Sequence, residues 1–169
     1  MPAVEKSMEI TSRLKIQDIA LWETHLKRHV EYPIVEDLSK LRYETMRGVR
    51  ADQVGACSDD GSEVDLLKML VSLGIRCVDD GVGHTEDDTE VIYTLEAVFS
   101  ADYLVLGPLD ESEVAEFARF NAVHNVWPFW RQHVYDTLKR ASLPVPEIPF
   151  FPGRPQQVES GPPDATQSP

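Results

Sequence analysis

The alternation of apolar and polar residues from Leu67 to Cys77 constrains the fold of this chain more than any other feature. The apolar positions are Leu67, Met69, Val71, Leu73, Ile75 and Cys77. Lys68, Ser72 and Arg76 lie between them. Successive side chains of a β-strand point to opposite faces, so this pattern predicts a strand with one buried face.

Residues 91–105 repeat the pattern after a loop rich in acidic residues and glycine. One face of this run consists of Val91, Tyr93, Leu95, Ala97, Phe99, Ala101, Tyr103 and Val105. The other face consists of Glu90, Thr94, Glu96, Ser100 and Asp102. The two runs predict a matched pair of strands that share a buried face.

Two weaker strand patterns precede this pair. Residues 13–26 alternate and then shift their apolar phase once, which predicts a long strand with one β-bulge. Residues 39–50 alternate again, and a loop rich in Gly, Asp and Ser is predicted at 51–63. The connecting loops are too short for crossover helices. The four strands should therefore pair antiparallel, as a meander or as hairpins.

Helical signals follow the strands. Asp110 to Glu113 carries the acidic residues of a helix start, and a first helix is predicted to run to about Val123. Pro128 should begin a second helix, because a proline in the first turn has no intrahelical N–H bond to lose. Leu143-Pro144 should end that helix and begin an extended segment.

Strands followed by helices predict an α+β domain, with a four-stranded antiparallel sheet and then two helices. We expect this domain to span residues 13–151. Residues 1–12 carry no clear pattern and are predicted to be a flexible N-terminus. Residues 152–169 are rich in Pro, Gly and Ser and are predicted to be a disordered tail.

The composition narrows the class of partner. The chain has 29 Asp and Glu against 16 Lys and Arg, a net charge of -13. This balance argues against nucleic acid and against an anionic membrane surface, since both attract basic patches. No apolar run approaches the roughly 20 residues that span a bilayer. With no signal segment at the N-terminus, we expect a cytoplasmic protein with two free thiols, Cys57 and Cys77.

Candidate reactive groups are few and weakly patterned. They are His25, His29 and Glu31 as metal ligands, Cys57 with His84 or His124 as nucleophile and base, and Asp79, Asp80, Glu86, Asp87 and Asp88 as calcium ligands. The two histidines would share a face only in a helix, and the acidic residues lack the spacing of a calcium loop. No family signature surrounds either cysteine. We therefore predict no catalytic site, no metal site and no cofactor.

The stretch from Asn125 to Phe151 concentrates aromatic residues in one short span. Trp127, Phe129, Trp130 and Tyr135 fall within it, and an apolar segment with several prolines follows. These rings are either core packed on the sheet or part of an exposed surface. A single four-stranded sheet buries only a limited number of large rings, so some of them are expected at an interface or along a groove.

The order of residues in this stretch resembles the signature of the bacterial protein-export chaperone SecB. The resembling residues are Trp127-Pro128-Phe129-Trp130-Arg131-Gln132, then Arg140, then Leu143-Pro144 and the segment to Phe151. Looser likeness is found in Leu14-Lys15-Ile16-Gln17 with Ile19, which is similar to the first strand of that family, and in Tyr93 to Ser100, which is similar to its last. The resemblance covers residues 13–151.

This resemblance implies an ATP-independent holdase, assembled as a dimer of dimers, that keeps precursor proteins unfolded in the cytoplasm. It implies transfer of those precursors to the translocase ATPase SecA through an acidic sheet face, on which Glu23 and Glu96 match acidic positions. Lys27 and Thr94 depart from the pattern of that face. SecB-like chaperones that bind the antitoxin of a toxin–antitoxin system are the alternative.

A client-binding groove is expected at Trp127, Phe129, Trp130, Tyr135 and Leu143. A chaperone of this type should have a long, open, apolar groove. A small-molecule-binding α+β domain would instead have one compact pocket with convergent polar groups. An oligomeric scaffold without a client is the third possibility.

Overall fold

The computed structural model describes residues 10–31, 38–57, 60–80 and 89–151. Its strands are β1 (Leu14–Arg28), β2 (Leu41–Cys57), β3 (Glu63–Asp79) and β4 (Glu90–Val105). A single helical run follows, made of α1 (Glu111–Phe117), a π-helical turn (Ala118–Ala122) and α2 (Val123–Arg140). The predicted α+β class, with an antiparallel sheet before the helical part, is confirmed.

The strands form one antiparallel sheet in the order β1-β4-β3-β2. The predicted antiparallel pairing is confirmed, but its arrangement as a meander or as hairpins is wrong for β1, which pairs with β4 and not with β2. The arrangement has Greek-key order, since three consecutive strands are neighbours and the remaining one lies beside the last of them. Apolar content explains the order: β3 and β4 are buried in the centre, and the more polar β1 and β2 form the edges.

Edge strand β1 contains two register shifts, between Ile16 and Asp18 and between Leu21 and Glu23. The sequence predicted one. Each shift inserts an extra residue, and together they keep Ile16, Leu21 and Leu26 on one face of the sheet. The second bulge falls at Trp22. Because Trp22 is apolar and directly follows Leu21, the apolar pattern of the sequence does not reveal this shift.

Edge strand β2 pairs with β3 without a register shift, from Leu41 opposite Asp79 to Cys57 opposite Glu63. The predicted loop at 51–63 is therefore wrong for residues 51–57, which are strand. Residues 63–69 of β3 supply a regular partner for this part of the chain. The hydrogen bonds of that ladder outweigh the local preference of Gly and Asp for turns.

The core lies between the sheet and the helical run. The face of the sheet that packs on the helices buries side chains of β3 and β4; they are Leu67, Met69, Val71, Leu73, Ile75, Cys77, Tyr93, Leu95, Ala97, Phe99, Ala101 and Tyr103. The alternation in the sequence predicted this face correctly. The opposite face, here called the helix-free face, carries Lys68, Arg76, Glu96 and Asp102.

The start of α1 has the predicted capping box. Asp110 accepts a hydrogen bond from the backbone N–H of Glu113, and the Glu113 side chain accepts one from the backbone N–H of Asp110. Arg13 joins this corner to the start of β1 through an ion pair with Glu113 at 2.6 Å. The guanidinium holds the pKa of Glu113 below its usual range.

The prediction that Pro128 begins a helix is wrong, because α2 begins at Val123 and Pro128 lies inside it. A proline in a helix interior costs about 3 kcal/mol. Burying one large apolar side chain contributes about 1.5–3 kcal/mol, and α2 buries five of them: Val123, Val126, Trp130, Val134 and Leu138. Packing on the sheet therefore outweighs the local penalty.

The end of α2 is a Schellman motif. Ser142 has a left-handed φ of 55°. The N–H of Leu143 donates to the carbonyl of Leu138 at 3.0 Å, and the N–H of Ser142 donates to that of Lys139 at 3.2 Å. Leu143 is buried after this turn, and the following residues run back along α2 to Phe151.

Parts of the predicted terminal segments can be compared with the structure. Residues 10–13 are helical, and Ile10 is 2% exposed within the core. The rest of the predicted flexible N-terminus and the whole predicted tail, residues 152–169, lie outside the described residues.

Candidate functional site

An apolar groove of about 600 Å³ separates β2 from α1. We call it the β2–α1 groove. Its apolar lining consists of Val49, Ala51, Leu67, Leu109, Val114, Ala115 and Ala118. Val49 and Ala51 face the helices because they pair with Val71 and Met69 of the buried face. The sheet thus supplies the floor and the helix one wall.

Four charged side chains also line the β2–α1 groove. Arg47 lies on β2 and Arg119 follows α1, while Asp110 and Glu111 lie at the start of α1. The acidic side chains thus lie at the start of α1, whereas the basic ones lie on β2 and after the end of α1. Such a lining favours an extended ligand over a compact anion or cation.

The residues that follow α2 lie against that helix as an extended peptide. We call residues 144–151 the C-terminal segment. Three side chains donate hydrogen bonds to its backbone: Tyr93 to the carbonyl of Pro144 at 2.8 Å, Arg131 to that of Ile148 at 3.0 Å, and Trp127 to that of Pro149 at 2.9 Å. Every amino acid has a carbonyl, so these bonds do not depend on the side chains of the segment.

Ring contacts hold the end of the C-terminal segment. The ring of Phe151 lies 5.3 Å from that of Trp127 and 5.8 Å from that of His124. The Arg47 guanidinium lies 6.0 Å from the Phe151 ring, and Arg47 also lines the β2–α1 groove. The C-terminal segment therefore ends beside this groove.

A second groove, of about 1110 Å³, separates α2 from the C-terminal segment. Its helical side includes Pro128, Arg131 and Tyr135, and its other side is formed by residues 145–150. The Arg131 guanidinium lies 4.5 Å from the centre of the Phe150 ring, at the rim of this groove. The C-terminal segment thus lines this second groove and ends beside the β2–α1 groove.

No family model matches the chain, and no curated protein matches it. Among solved structures, the chain is similar to the Mycobacterium tuberculosis SecB-like chaperone Rv1957, solved in complex with a ChAD peptide from the antitoxin HigA1 (Rv1956). The TM-score is 0.64, the sequence identity is 18%, and the likeness covers 89% of this chain and 99% of the other. This chain has the SecB-like fold. The resemblance noted in the sequence is confirmed at the level of the fold.

The five side chains predicted to line a client groove do not share one surface of this SecB-like fold. Phe129 and Tyr135 are exposed, at 48% and 52%. Trp127 is half-buried and binds the C-terminal segment. Trp130 and Leu143 belong to the core, at 3% and 5% exposure: Trp130 lies on the side of α2 that meets the sheet, and Leu143 is buried after the turn that ends α2.

The sequence did not single out the residues of the β2–α1 groove. Val49 and Ala51 belong to an alternation that extends beyond the predicted end of the strand at Arg50. Val114 and Ala118 are four residues apart, which is the spacing of a buried stripe along a helix. These groove residues differ from core residues in that they lie at the margin of that stripe. The margin can be recognised only when the position of β2 at the sheet edge is known.

Glu23 and Glu96, the predicted docking residues for a translocase, are both exposed on the helix-free face. Glu23 lies opposite Val98, and Glu96 lies opposite His25, so the two carboxylates are diagonal neighbours on β1 and β4. Lys27 lies opposite Thr94 on the same face. Glu23 and Glu96, which match acidic positions of the SecB pattern, are thus adjacent to Lys27 and Thr94, which depart from it.

Ion pairs occupy other parts of the helix-free face. Lys68 contacts Asp102 at 2.8 Å and lies 5.4 Å from the centre of the Trp22 ring. Arg42 and Arg76 both pair with Glu44, and their guanidinium groups hold the pKa of Glu44 below its usual range. The acidic balance of the chain is therefore partly neutralised on this face.

Some of the weak reactive candidates lie in the part of the chain that the structure describes. Among the described residues, no group of three or more His, Cys, Asp or Glu side chains could hold a metal ion. His29 shares a 3.2 Å hydrogen bond with Thr94. His84, the acidic residues 86–88 and the side chain of Cys57 lie outside the described residues. No helix in the part of the chain that the structure describes is both long enough and apolar enough to cross a membrane.

Burial shifts the pKa values of Cys77 and His133 in opposite directions. Cys77 is a free thiol in the core, and burial raises its pKa to about 11. A thiol with such a pKa is a poor nucleophile at neutral pH. His133 lies between α2 and β1, where its Nε2 shares a 2.8 Å hydrogen bond with the hydroxyl of Thr24, and burial lowers its pKa.

Proposed function

We propose that this protein is a SecB-like chaperone that binds extended apolar segments of non-native polypeptides, without ATP. The β2–α1 groove is the site that we assign to the client. One observation carries the proposal: an open apolar groove, Val49 and Ala51 at its floor and Val114 in its wall, lies next to a peptide-like segment that the fold already binds. The SecB-like fold supports it.

The lining favours a polypeptide over a small molecule. A small-molecule site places a few polar groups so that they converge on one ligand. Here Arg47 and Arg119 lie apart from Asp110 and Glu111, with apolar residues between them. Apolar side chains of a client would lie on that apolar part, and burial would contribute about 25 cal/mol per Å² before ordering costs.

We propose an antitoxin or a similarly unfolded short segment as the client class. The similar Mycobacterium tuberculosis chaperone was solved with an antitoxin peptide. Unfolded precursor proteins for export, in the cytoplasm, are the second client class. Glu23 and Glu96 support it, since both carboxylates are exposed on the helix-free face where a SecA-like translocase would dock.

We also propose that the protein is a homo-oligomer, built as a dimer of dimers. Edge strand β1 exposes three large apolar side chains, Ile16, Leu21 and Trp22. Its outer edge has no partner strand in the sheet. Several weak client grooves on one oligomer would raise avidity without a strong single contact. Light scattering coupled to size exclusion measures the mass, and a strict monomer would contradict this part of the proposal.

Suppression of aggregation tests the chaperone function. A chemically unfolded protein is diluted into buffer with increasing amounts of this chain, and light scattering is recorded without ATP. We expect suppression to be complete near stoichiometric amounts and to be unchanged by ATP. Serum albumin at the same mass is the control. Scattering that stays at the control level at stoichiometric amounts rejects the chaperone function.

A further inference from the structure

The C-terminal segment is bound in the way that proline-rich peptides are bound by recognition domains. Prolines at 144, 146 and 149 favour an extended polyproline-type backbone. Such peptides dock on aromatic surfaces that donate hydrogen bonds to their carbonyls. Trp127 and Arg131 of α2 donate to Pro149 and Ile148 in this manner.

Side chains, and not a backbone ladder, attach this segment to the domain. Among the described residues, no backbone-to-backbone hydrogen bond reaches residues 144–151. Phe150 is 82% exposed, although it lies at the end of an apolar run. The groove of about 1110 Å³ beside α2 leaves space along one side of the segment. Side-chain hydrogen bonds, the ring contacts of Phe151 and the partial burial of Val145 and Ile148 against the core hold the segment in place.

The place where this segment ends is also informative. Arg47 contacts the ring of Phe151 and lines the β2–α1 groove. An extended client that lies along this groove and continues past Arg47 meets Phe151 next. Beyond Phe151 lie Trp127 and Arg131, whose donors are occupied by the carbonyls of the segment.

We propose that the C-terminal segment is a built-in ligand, an intramolecular competitor that a client displaces from Trp127 and Arg131. This inference rests on the proposed function, since it assigns a regulation to the client site. Because the segment is tethered directly after Leu143, its effective concentration is high, and it excludes short or weak peptides. Only a client that gains contacts in the β2–α1 groove as well displaces it.

Binding of a labelled peptide in trans tests this competition. The probe is the segment itself, PVPEIPFF, with a fluorophore at its N-terminus, and anisotropy reports its affinity. In Phe151→Ala the tethered copy loses its ring contact with Trp127 while the donors remain. The lost aromatic pair weakens the binding of the tethered copy, so this copy competes less with the probe. We therefore expect the probe to bind about threefold to tenfold tighter to this variant than to the wild-type protein.

Two double variants show where the probe binds. Adding Trp127→Phe to Phe151→Ala removes the donor for the probe and keeps an aromatic ring, so the gain should be lost. Adding Trp22→Phe, on the helix-free face, should leave the gain unchanged. Circular dichroism checks folding of each variant, and Phe150→Ala replaces Phe151→Ala if the latter is unfolded.

The outcomes separate this inference from the proposed function. Unchanged or weaker binding of the probe to Phe151→Ala overturns the competition, and the segment is then a fixed wall. Suppression of aggregation by the wild-type protein would still support a chaperone in that case. Conversely, a gain in probe binding without suppression of aggregation keeps the built-in ligand and rejects the chaperone.

Discussion

Trp127 donates its indole N–H to the carbonyl oxygen of Pro149 at 2.9 Å, so the long helix of this SecB-like fold binds the chain that leaves it. The same ring contacts Phe151. Phe151 in turn contacts Arg47, which lines the β2–α1 groove. One side chain therefore connects the helix, the C-terminal segment and the proposed client site.

Trp130 and Phe129 are neighbours in the sequence and should differ in their effect on stability. Trp130 lies in the core, so Trp130→Ala should lower the free energy of unfolding by about 3–5 kcal/mol. Phe129 is half exposed, and Phe129→Ala should change it by less than about 1 kcal/mol. Urea denaturation measures both. Equal losses in the two variants would contradict the placement of Trp130.

Val49 and Val54 lie on the same strand and face opposite sides of the sheet. Val49→Glu places a carboxylate on the floor of the β2–α1 groove, where an apolar client would have to desolvate it. We expect affinity for an unfolded protein, measured by fluorescence anisotropy, to fall by about tenfold or more.

Val54→Glu is the matched control, since it makes the same chemical change on the helix-free face. Its affinity should stay within about twofold of the wild-type value. A urea denaturation curve for Val49→Glu separates lost binding from lost folding. If Val54→Glu weakens binding as much as Val49→Glu does, the client site does not lie in this groove.

His133 should make stability fall under mildly acidic conditions. Burial among Phe99, Trp130 and Thr24 lowers its pKa below the ordinary 6.5, and Asp136 opposes this only in part. The unfolded chain then binds a proton at a higher pH than the folded protein does. The free energy of unfolding therefore decreases as the pH falls below about 6.5, until the folded protein is protonated as well.

Denaturation by urea at about pH 7.5 and about pH 5.5 measures this loss. The loss should be smaller in His133→Gln than in the wild-type protein. His25→Gln, a change at an exposed residue of β1, serves as the control and should keep the wild-type loss. An unchanged loss in His133→Gln would show that other groups cause the acid sensitivity.

Ser142 carries the left-handed turn that ends α2. An L-residue in this conformation costs about 1–2 kcal/mol, and glycine adopts it without strain, although glycine loses more entropy on folding. Ser142→Gly should therefore raise the free energy of unfolding by about 0.5–1 kcal/mol. Ser142→Val should lower it, because a branched side chain tolerates this region least. A glycine variant less stable than the wild-type protein would contradict the strain.

The sequence predicted the parts of the fold that depend on side-chain alternation. The runs at 67–77 and 93–105 were assigned to the correct face, because all of their odd-numbered residues are apolar, whereas their even-numbered positions include Lys68, Arg76, Glu96 and Asp102. The placement of β1 beside β4 could not be predicted in this way, since pairing between distant strands depends on which strands need burial on both sides. Pro128 was placed at a helix start because its local cost is visible in the sequence, whereas the burial of Val126 and Trp130 is not.

The candidate site was less predictable than the fold. The aromatic and apolar content of the stretch from Asn125 to Phe151 led the prediction to residues that include Trp130 and Leu143, which the structure places in the core. The residues of the β2–α1 groove are small or medium aliphatic side chains such as Ala51 and Val114, which have no distinctive chemistry. They form a surface only because β2 lies at the sheet edge and α1 crosses beside it.

Site-specific photo-crosslinking to an unfolded protein tests the central claim most directly. A benzoylphenylalanine replaces Ala115, which is exposed on the wall of the β2–α1 groove, or Val54 on the helix-free face. We predict crosslinks from position 115 to the unfolded protein without ATP, few from position 54, and none from either position once the client has refolded. Equal crosslinking at the two positions, or none at position 115, would contradict the claim that this protein holds unfolded chains in that groove.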